Sequence, residues 1–554
     1  MNKSELLFVP LGGVGEIGMN LALYGYGPEE NRSWIMVDCG VTFPNATLPG
    51  VDLVLPDIRF AEELGDDLKA IIITHAHEDH YGALLSLWPK LQKPVWMTAF
   101  TAGLLEAKAN SDAGSPQIPV NIFKAGDKFN ISPFEIETVY VTHSIPEPVS
   151  LSIKTPAGRV IHTGDWKLDS EPSLGHDTDR AAFKRLGDDG VLALICDSTN
   201  AMREGISPTE QSVSDNLESL ISNAPGRVAI TTFSSNIGRI RSIALAAERA
   251  GRKVMLMGRS IRRMTDVARD LGYLDGLAEF LEEDEFSSID RRKIVIILTG
   301  SQGESRAALA KLARDEHPRV HLTAGDRVIY SSRAIPGNEK EINDTKNLLI
   351  EQGVEIITDE TELVHVSGHP RRNELEQMYA WTRPEVLVPV HGEAMHLTAQ
   401  AKFGAEQGIP QVLPIRNGDL VRLAPGAAEI IDQVPHGRVY KDGRLVGDAE
   451  AVGVAGRRKL SFAGLVAVSI VLGRNGQLAD EVDMELLGLP ELNVQGQPFD
   501  DILFDAAAGA VESIPAKRRK DADLVSMAVE KAVRSAARNE WGKKPKVIVF
   551  VAMV

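Results

Sequence analysis

Six residues, His75-Ala76-His77-Glu78-Asp79-His80, restrict this 554-residue chain more than any other stretch. Before them, Leu68 to Thr74 is a short apolar, β-branched run that reads as a buried strand. After them, Tyr81 to Trp88 reads as a short helix ended by Pro89. A single histidine on such a loop is most simply a satisfied core residue. Three of the chain's 13 histidines within six positions, with a carboxylate among them, form a metal-ligand constellation instead. Alternate positions on a loop leaving a strand send His75 and His77 toward one metal. Asp79 and His80, past the turn, reach a second one nearby.

A competing motif stands at the N-terminus. Gly13-Val14-Gly15-Glu16-Ile17-Gly18 fits GxGxxG, and Asp38 follows 20 residues after Gly18, where a dinucleotide fold keeps its ribose-binding acid. That fingerprint needs a helix after the glycine turn, whose N-terminus receives the pyrophosphate. Met19 to Gly27, MNLALYGYG, has no helical apolar period and reads as a strand folding back on LLFVPL, followed by a loop and the strand WIMVD. A β-hairpin entry holds no phosphate, so the glycines are expected to make a tight turn.

Bulk properties narrow the class without choosing within it. The length predicts two to four domains. No run of 18 apolar residues occurs, so no membrane helix is expected, and MNKSELLFVPLGG lacks signal-peptide features. Cys39 and Cys196, each in an apolar run, are expected to be buried reduced thiols of a cytoplasmic protein. A net charge of −17 argues against coating nucleic acid through a bulk positive field, but leaves room for a local basic groove.

The motif HxHxDH at a strand end resembles the metallo-β-lactamase superfamily. That resemblance implies a later His, an Asp shared by the two metals and a final His. Matching residues are His143 after IETVYVT, Asp165 after RVIHTG and His391 after EVLVPV. It assigns His75, His77 and His143 to one metal, Asp79, His80 and His391 to the other, and Asp165 to both, with the metals about 3.5–4 Å apart. The segments LALICDSTN, GISPTE, TTFSSNIGRI, LTGSQGESRAAL, VIYSSRAIPGNE and VHVSGHPRRNELEQM then resemble the β-CASP branch and, within it, the ribonuclease J family. The likeness runs from about Leu7 to Val446 and more weakly to the C-terminus. Two departures are visible: Gly238 stands where the family has His in SNIHR, and Arg306 stands in SQGESR where it has SQGEPM.

The resemblance implies RNA phosphodiester hydrolysis by two divalent cations, 5′-to-3′ from a 5′-monophosphate end and internally, in mRNA decay and rRNA maturation. His391 points to RNA, since DNA-processing relatives tend to carry valine there. Zn²⁺ suits the His-rich set, with Mn²⁺ an alternative. Asp79 is expected to orient the attacking water or accept its proton. His369, 22 residues before His391, is expected to stabilise the phosphoryl oxygen or protonate the leaving oxygen. Asp197 is expected to fix a histidine from behind or, alternatively, to cap the end of its strand. Asp38 is a further candidate for holding a ligand histidine. A pocket for the 5′-phosphate is expected from His365, Val366, Ser367, Gly368 and His369, helped by Ser234, Ser235 and Asn236. An ordinary helix cap is the alternative for the last three. Of the basic residues Arg239, Arg241, Arg252, Lys253, Arg259, Arg262, Arg263, Arg371 and Arg372, several are expected to line an RNA channel and the rest to be solvated. Lys517 to Lys520 is expected to be a solvated loop.

The expected architecture is multidomain α/β and α+β. Residues 1–207 and 369–445 form an αββα metallo-β-lactamase sandwich, and 208–368 an inserted β-CASP domain with a parallel, helix-covered sheet. A Gly-rich link, 446–459, leads to a small α+β domain, 460–554. The family implies a homodimer or homotetramer and partners in an RNA-degradation complex. A DNA-processing relative, or a catalytically silent RNA-binding subunit, are the alternatives.

Overall fold

The computed structural model describes residues 4–335 and 337–554. The chain divides into two compact units, residues 1–42 with 55–438, and residues 43–54 with 439–554.

The first unit holds three large sheets. An eight-stranded sheet runs, in spatial order, Glu429–Gln433, Asp419–Ala424, Glu5–Gly12, Leu21–Gly27, Ser33–Val37, Leu68–Ile72, Val95–Met97 and Val120–Ile122. A seven-stranded sheet runs Gln411–Val412, Val386–Val390, Ala193–Asp197, Gly158–His162, Val149–Thr155, Phe134–Tyr140 and Lys128–Ile131. Strand side chains alternate between faces, and the two faces serve different cores. Val160, Ala193, Ile195, Val386 and Val388 pack with Leu6, Phe8, Tyr24 and Ile35 of the first sheet in one cluster. Their neighbours Ile161, Leu194, Cys196 and Leu387 join Phe183, Leu186, Met378 and Trp381 of helices Arg180–Asp188 and Arg372–Thr382. On the outer face of the first sheet, Trp34 meets Phe60 of helix Arg59–Glu63 edge to face. Helix, sheet, sheet and helix therefore stack in that order.

The expected hairpin at the N-terminus is present: Leu21–Gly27 pairs antiparallel with both Glu5–Gly12 and Ser33–Val37. A Cβ on Gly12 would lie 1.8 Å from the Met19 carbonyl oxygen, and Gly13 has φ +81° with Asn20 Oδ1 2.2 Å from where its Cβ would be. These glycines close a turn that no other residue fits.

The third sheet is five-stranded and parallel throughout, ordered Lys253–Met257, Ile294–Leu298, Val228–Thr231, Arg327–Tyr330 and Glu355–Ile357. Helices such as Ile237–Arg249 and Glu339–Glu351 connect its strands, and Glu210–Ser222 leads into it from the seven-stranded sheet.

In the second unit, Leu465–Leu472 lies between Asp483–Leu487 and Lys546–Met553. Helices Phe499–Ser513 and Ala522–Trp541 bury Leu503, Ala507 and Val511, and Val525, Val529, Val533 and Ala537, at four-residue spacing. Asp483–Leu487 was not among the expected strands. The Gly-rich link is partly helical: Gly453, at φ 72°, starts helix Val454–Ala463. Pro89 does not end its helix either. It lies inside Leu84–Leu91, after a separate turn Glu78–Tyr81, and the stop comes from Gln92 at φ 50°, whose N–H reaches Trp88 O. A proline there forfeits one hydrogen bond, which so short a helix tolerates.

Candidate metal centre

The HAHEDH loop leaves strand Leu68–Ile72 and is clamped by backbone bonds: Cys39 N to His80 O, 2.7 Å; Asn20 N to Asp79 O, 2.9 Å; Val41 N to Glu78 O, 3.0 Å. His143 and Asp165 follow strands Phe134–Tyr140 and Gly158–His162 of the second sheet, and His391 follows Val386–Val390. His391 takes a left-handed φ of 51°, and its N–H donates to Gly13 O at 2.7 Å. Histidine, like Asn and Asp, enters that region more readily than most residues, and here the turn aims its imidazole at the other ligands.

Two donor groups result, sharing one carboxylate. His75, His77, His143 and Asp165 form the first; Asp79, His80, Asp165 and His391 form the second; in each, all donor atoms lie within 4.8 Å of one another. In the first, His77 Nδ1 is 3.1 Å from His75 Nε2 and 3.0 Å from His143 Nε2. Asp165 Oδ2 is 3.7 Å from both His75 Nε2 and His143 Nε2, and 3.3 Å from His80 Nε2. Asp79 Oδ2 lies 3.6 Å from His80 Nε2 and 3.3 Å from His391 Nε2.

The outward nitrogens decide what faces inward. His143 Nδ1 donates to Gly368 O at 2.8 Å and His80 Nδ1 to Asp38 Oδ2 at 2.7 Å. His77 Nε2 meets Ser235 Oγ at 3.1 Å, and His75 Nδ1 meets Thr74 Oγ1 at 3.0 Å. A neutral imidazole that donates from one nitrogen presents a lone pair at the other. Burial pushes His75 and His143 well below the usual histidine range and His77 to about 4, so these rings are neutral. Three lone pairs converging at about 3 Å do not satisfy one another, and suit a cation with nitrogen ligands. In the second group burial opposes charge on His80 and His391, but Asp165 and its neighbouring carboxylates prevail: they raise His80 well above its ordinary value and His391 to about 10. Opposing its own burial, His80 and then His391 hold Asp79 below the usual carboxylate range. A site so rich in carboxylate charge calls for positive charge, from protons or from a divalent cation. The donor set therefore fits two such ions.

Asp197 and His369 join this centre. Asp165, Asp197, His369 and His391 form a third close set, and His369 Nδ1 is 2.7 Å from Asp197 Oδ2. Asp197 Oδ1 also accepts from Thr199 N at 2.9 Å, the strand-end cap, so one carboxylate makes both expected contacts. The side chains of Asp79 and His369 are 28% and 19% exposed, against 4% or less for His80, Asp165, Asp197 and His391. Those two face what enters.

The expected phosphate pocket is only partly assembled. Gly368 lies against His143, whose ring would be 2.6 Å from an added Cβ. Ser367 Oγ accepts from Asn200 Nδ2 at 2.9 Å, and Val366 is buried. Ser234 is half-buried. Asn236 is a helix cap: its Oδ1 accepts from Arg239 N at 2.9 Å. His365 lies in a buried ionic cluster, and burial followed by Arg239 lowers it to about 3. Two arginines considered for an RNA channel are structural. Arg239 is fully buried, paired with Glu210 at 2.6 Å and bonded to Ser331 Oγ and Val364 O; Arg252 donates to Gly226 O and Ala224 O. A buried acid from a distant helix, invisible to local reading, claims Arg239. Gly238 sits where a Cβ would meet Ser173 Oγ at 2.4 Å, so the loop bearing Ser173 fills that space.

Several contributors lay outside the expected set. Asn20 Nδ2 contacts Asp79 O at 3.0 Å and His80 Nε2 at 3.0 Å; Thr199 Oγ1 meets His391 Nδ1 at 2.9 Å. Glu374 accepts from Leu168 N, Ser207 N, Ser207 Oγ and Arg371 N, tying together the chain on both sides of the five-stranded insertion.

Comparisons with known proteins agree with this geometry. Family models match as "Metallo-beta-lactamase superfamily" over residues 29–210, "Ribonuclease J, beta-CASP domain" over 225–349, "Zn-dependent metallo-hydrolase RNA specificity domain" over 353–414 and "Ribonuclease J C-terminal domain" over 452–554. A Ribonuclease J from Sinorhizobium meliloti is 61% identical over 99% of this chain and 98% of its own. The chain belongs to the ribonuclease J family. It is accordingly a metal-dependent ribonuclease of mixed α/β multidomain build. More distant ribonuclease J relatives include those of Corynebacterium glutamicum, 36% identical over 98% of this chain and 75% of that one, and Mycobacterium tuberculosis, 37% identical over 100% and 98%. A solved structure titled as a protein of unknown function from Enterococcus faecalis V583 is 16% identical with a TM-score of 0.53, covering 76% of this chain and all of that one, a likeness of fold alone.

Proposed function

We propose that this ribonuclease degrades single-stranded RNA 5′-to-3′ from a 5′-monophosphate end and also cuts internally, in mRNA decay and rRNA maturation. The catalytic domain is 1–207 with 369–445, the β-CASP insertion 208–368, the link 446–459 and the C-terminal domain 460–554. His75, His77 and His143 hold one cation, Asp79, His80 and His391 the other, and Asp165 both, with Zn²⁺ the ion that suits the set and Mn²⁺ the alternative. The observation that carries this reading is the pair of donor groups meeting at Asp165, beside the half-buried His369.

Bound cations supply charge neutralisation at the phosphoryl group and an activated water. The chain's own residues do the rest. Asp79, on the open side, orients the water and takes its proton. His369 carries a proton that Asp197 stabilises: against its burial, Asp197 raises it above the ordinary histidine value. A protonated imidazole at that place stabilises the phosphoryl oxygen or protonates the leaving 3′ oxygen. Ser235, which touches His77, and Gly368, which touches His143, would receive a terminal phosphate with Ser367 beside them. The edge strand Lys546–Met553, with Phe550 62% exposed, supports a homodimer or homotetramer. Cys39 and Cys196, free and buried, agree with the cytoplasm, and no helix among the described residues is long and apolar enough to cross a membrane.

Incubating the metal-loaded protein with 5′-monophosphorylated RNA, its 5′-triphosphorylated twin and matching DNA tests this reading. Rapid mononucleotide release from the first alone is expected. Equal cleavage of DNA, or indifference to the 5′ end, contradicts it.

A further inference from the structure

The glycine turn and two buried side chains have no part in the reading above. Gly12, Gly13, Asn20, His162, Asp165 and His391 line a cavity of about 30 Å³ on the core side of the metal ligands. About 10–15 Å³ accommodates a water, provided that two to four polar groups face it. This cavity has both the room and the partners.

His162 ends the strand that precedes Asp165. Its Nδ1 lies 2.8 Å from the hydroxyl of Tyr24, which is fully buried. Burial, then Asp38, keeps the Tyr24 phenol protonated, and burial lowers His162 to about 4. Nδ1 is the one acceptor within reach of the Tyr24 hydroxyl among the described residues, so the phenol donates to it and the neutral ring carries its proton on Nε2. Asp165 turns Oδ2 toward His75, His80 and His143, and Oδ1 lies 3.5 Å from His391 Nδ1, beyond a good hydrogen bond. Asp165 Oδ1 is buried and has no hydrogen-bond partner among the described residues. A buried carboxylate oxygen calls for a donor, and His162 is a donor on the same cavity.

We propose that the cavity holds ordered water that carries a hydrogen bond from His162 Nε2 to Asp165 Oδ1. Tyr24 and His162 are then positioning residues for the carboxylate shared by the two donor groups, approaching it from the side away from substrate. Gly12, Gly13 and Val14 of the glycine turn supply part of the wall. This proposal rests on the two-cation reading.

The test compares the parent chain with Tyr24→Phe, His162→Leu and His162→Gln. The readouts are Zn²⁺ affinity by competition with a chromophoric chelator, and kcat and KM on 5′-monophosphorylated RNA. Outer partners of metal ligands typically govern affinity by about 10–100-fold. That loss is expected for His162→Leu, a smaller one for Tyr24→Phe, and recovery in His162→Gln, which keeps a donor; kcat falls with affinity while KM stays. Parental affinity in both Tyr24→Phe and His162→Leu overturns the proposal. Should His162→Leu fail to fold, Tyr24→Phe and a crystal structure of the parent decide: water bonded to both His162 and Asp165 supports it, and a dry cavity overturns it. A parent that binds no Zn²⁺ is a different result, which removes the two-cation reading and this proposal with it.

Discussion

His369 and Asp197 show how a single contact fixes where a side chain stands. The 2.7 Å bond between them holds the imidazole at the open edge of the centre. His369→Ala should lower the single-turnover cleavage rate by about 10²–10⁴-fold while RNA affinity, measured under conditions without turnover, changes little. An unchanged rate removes His369 from the chemistry. Asp38 acts from behind: it has φ 63° and accepts from Thr74 N at 2.8 Å as well as from His80. Asp38→Asn keeps the shape and removes the charge that fixes the His80 tautomer, so metal affinity should fall about 10–100-fold, read by chelator competition with the thermal midpoint as control. At this scale the sequence was legible wherever chemistry was concentrated: three histidines and an acid on one loop need no fold to be noticed. Asn20, Thr199 and Tyr24 were not legible, because each gains meaning only from a partner brought near by strand pairing.

Among elements, the five-stranded parallel sheet presents the carboxyl ends of its strands to the centre. Val228–Thr231 leads to Ser235, which touches His77, and Arg327–Tyr330 leads to Ser331, which accepts from Arg239. Carboxyl ends of parallel strands are where such sheets bind ligands. The insertion is locked by a buried network in which Lys167 lies 2.8 Å from Asp169 and 3.5 Å from Glu210, and Glu210 holds Arg239. Against burial, Arg239 and Lys167 lower Glu210 to about 2. A depressed folded value means stability that is complete above the unfolded value, about 4.3, and lost as pH falls toward 2. Glu210→Gln should cost about 3–5 kcal/mol at pH 7 by stranding Arg239, and its deficit relative to the parent should shrink between pH 5 and pH 2 in denaturant titrations. A deficit independent of pH contradicts the assignment. Sequence periodicity foretold this sheet and the i, i+4 helices of the second unit. It missed Asp483–Leu487, whose alternation is masked by acids, and it read Arg239 as surface because Glu210 lies 29 residues away.

For the whole molecule, the net charge of −17 and the RNA substrate class are reconciled by concentrating positive charge at one place. On the reading proposed above, two divalent cations at the shared donor groups would create it, beside His75, His77 and His143, which burial keeps neutral. Cleavage is expected to require both. Stripping the protein with a chelator, returning Zn²⁺ or Mn²⁺ stepwise, and following bound metal together with cleavage of 5′-monophosphorylated RNA measures it directly. No cleavage is expected without metal, and the rate should saturate at two equivalents per chain; cleavage by the stripped protein, or full activity with a single ion bound, contradicts the two-cation reading.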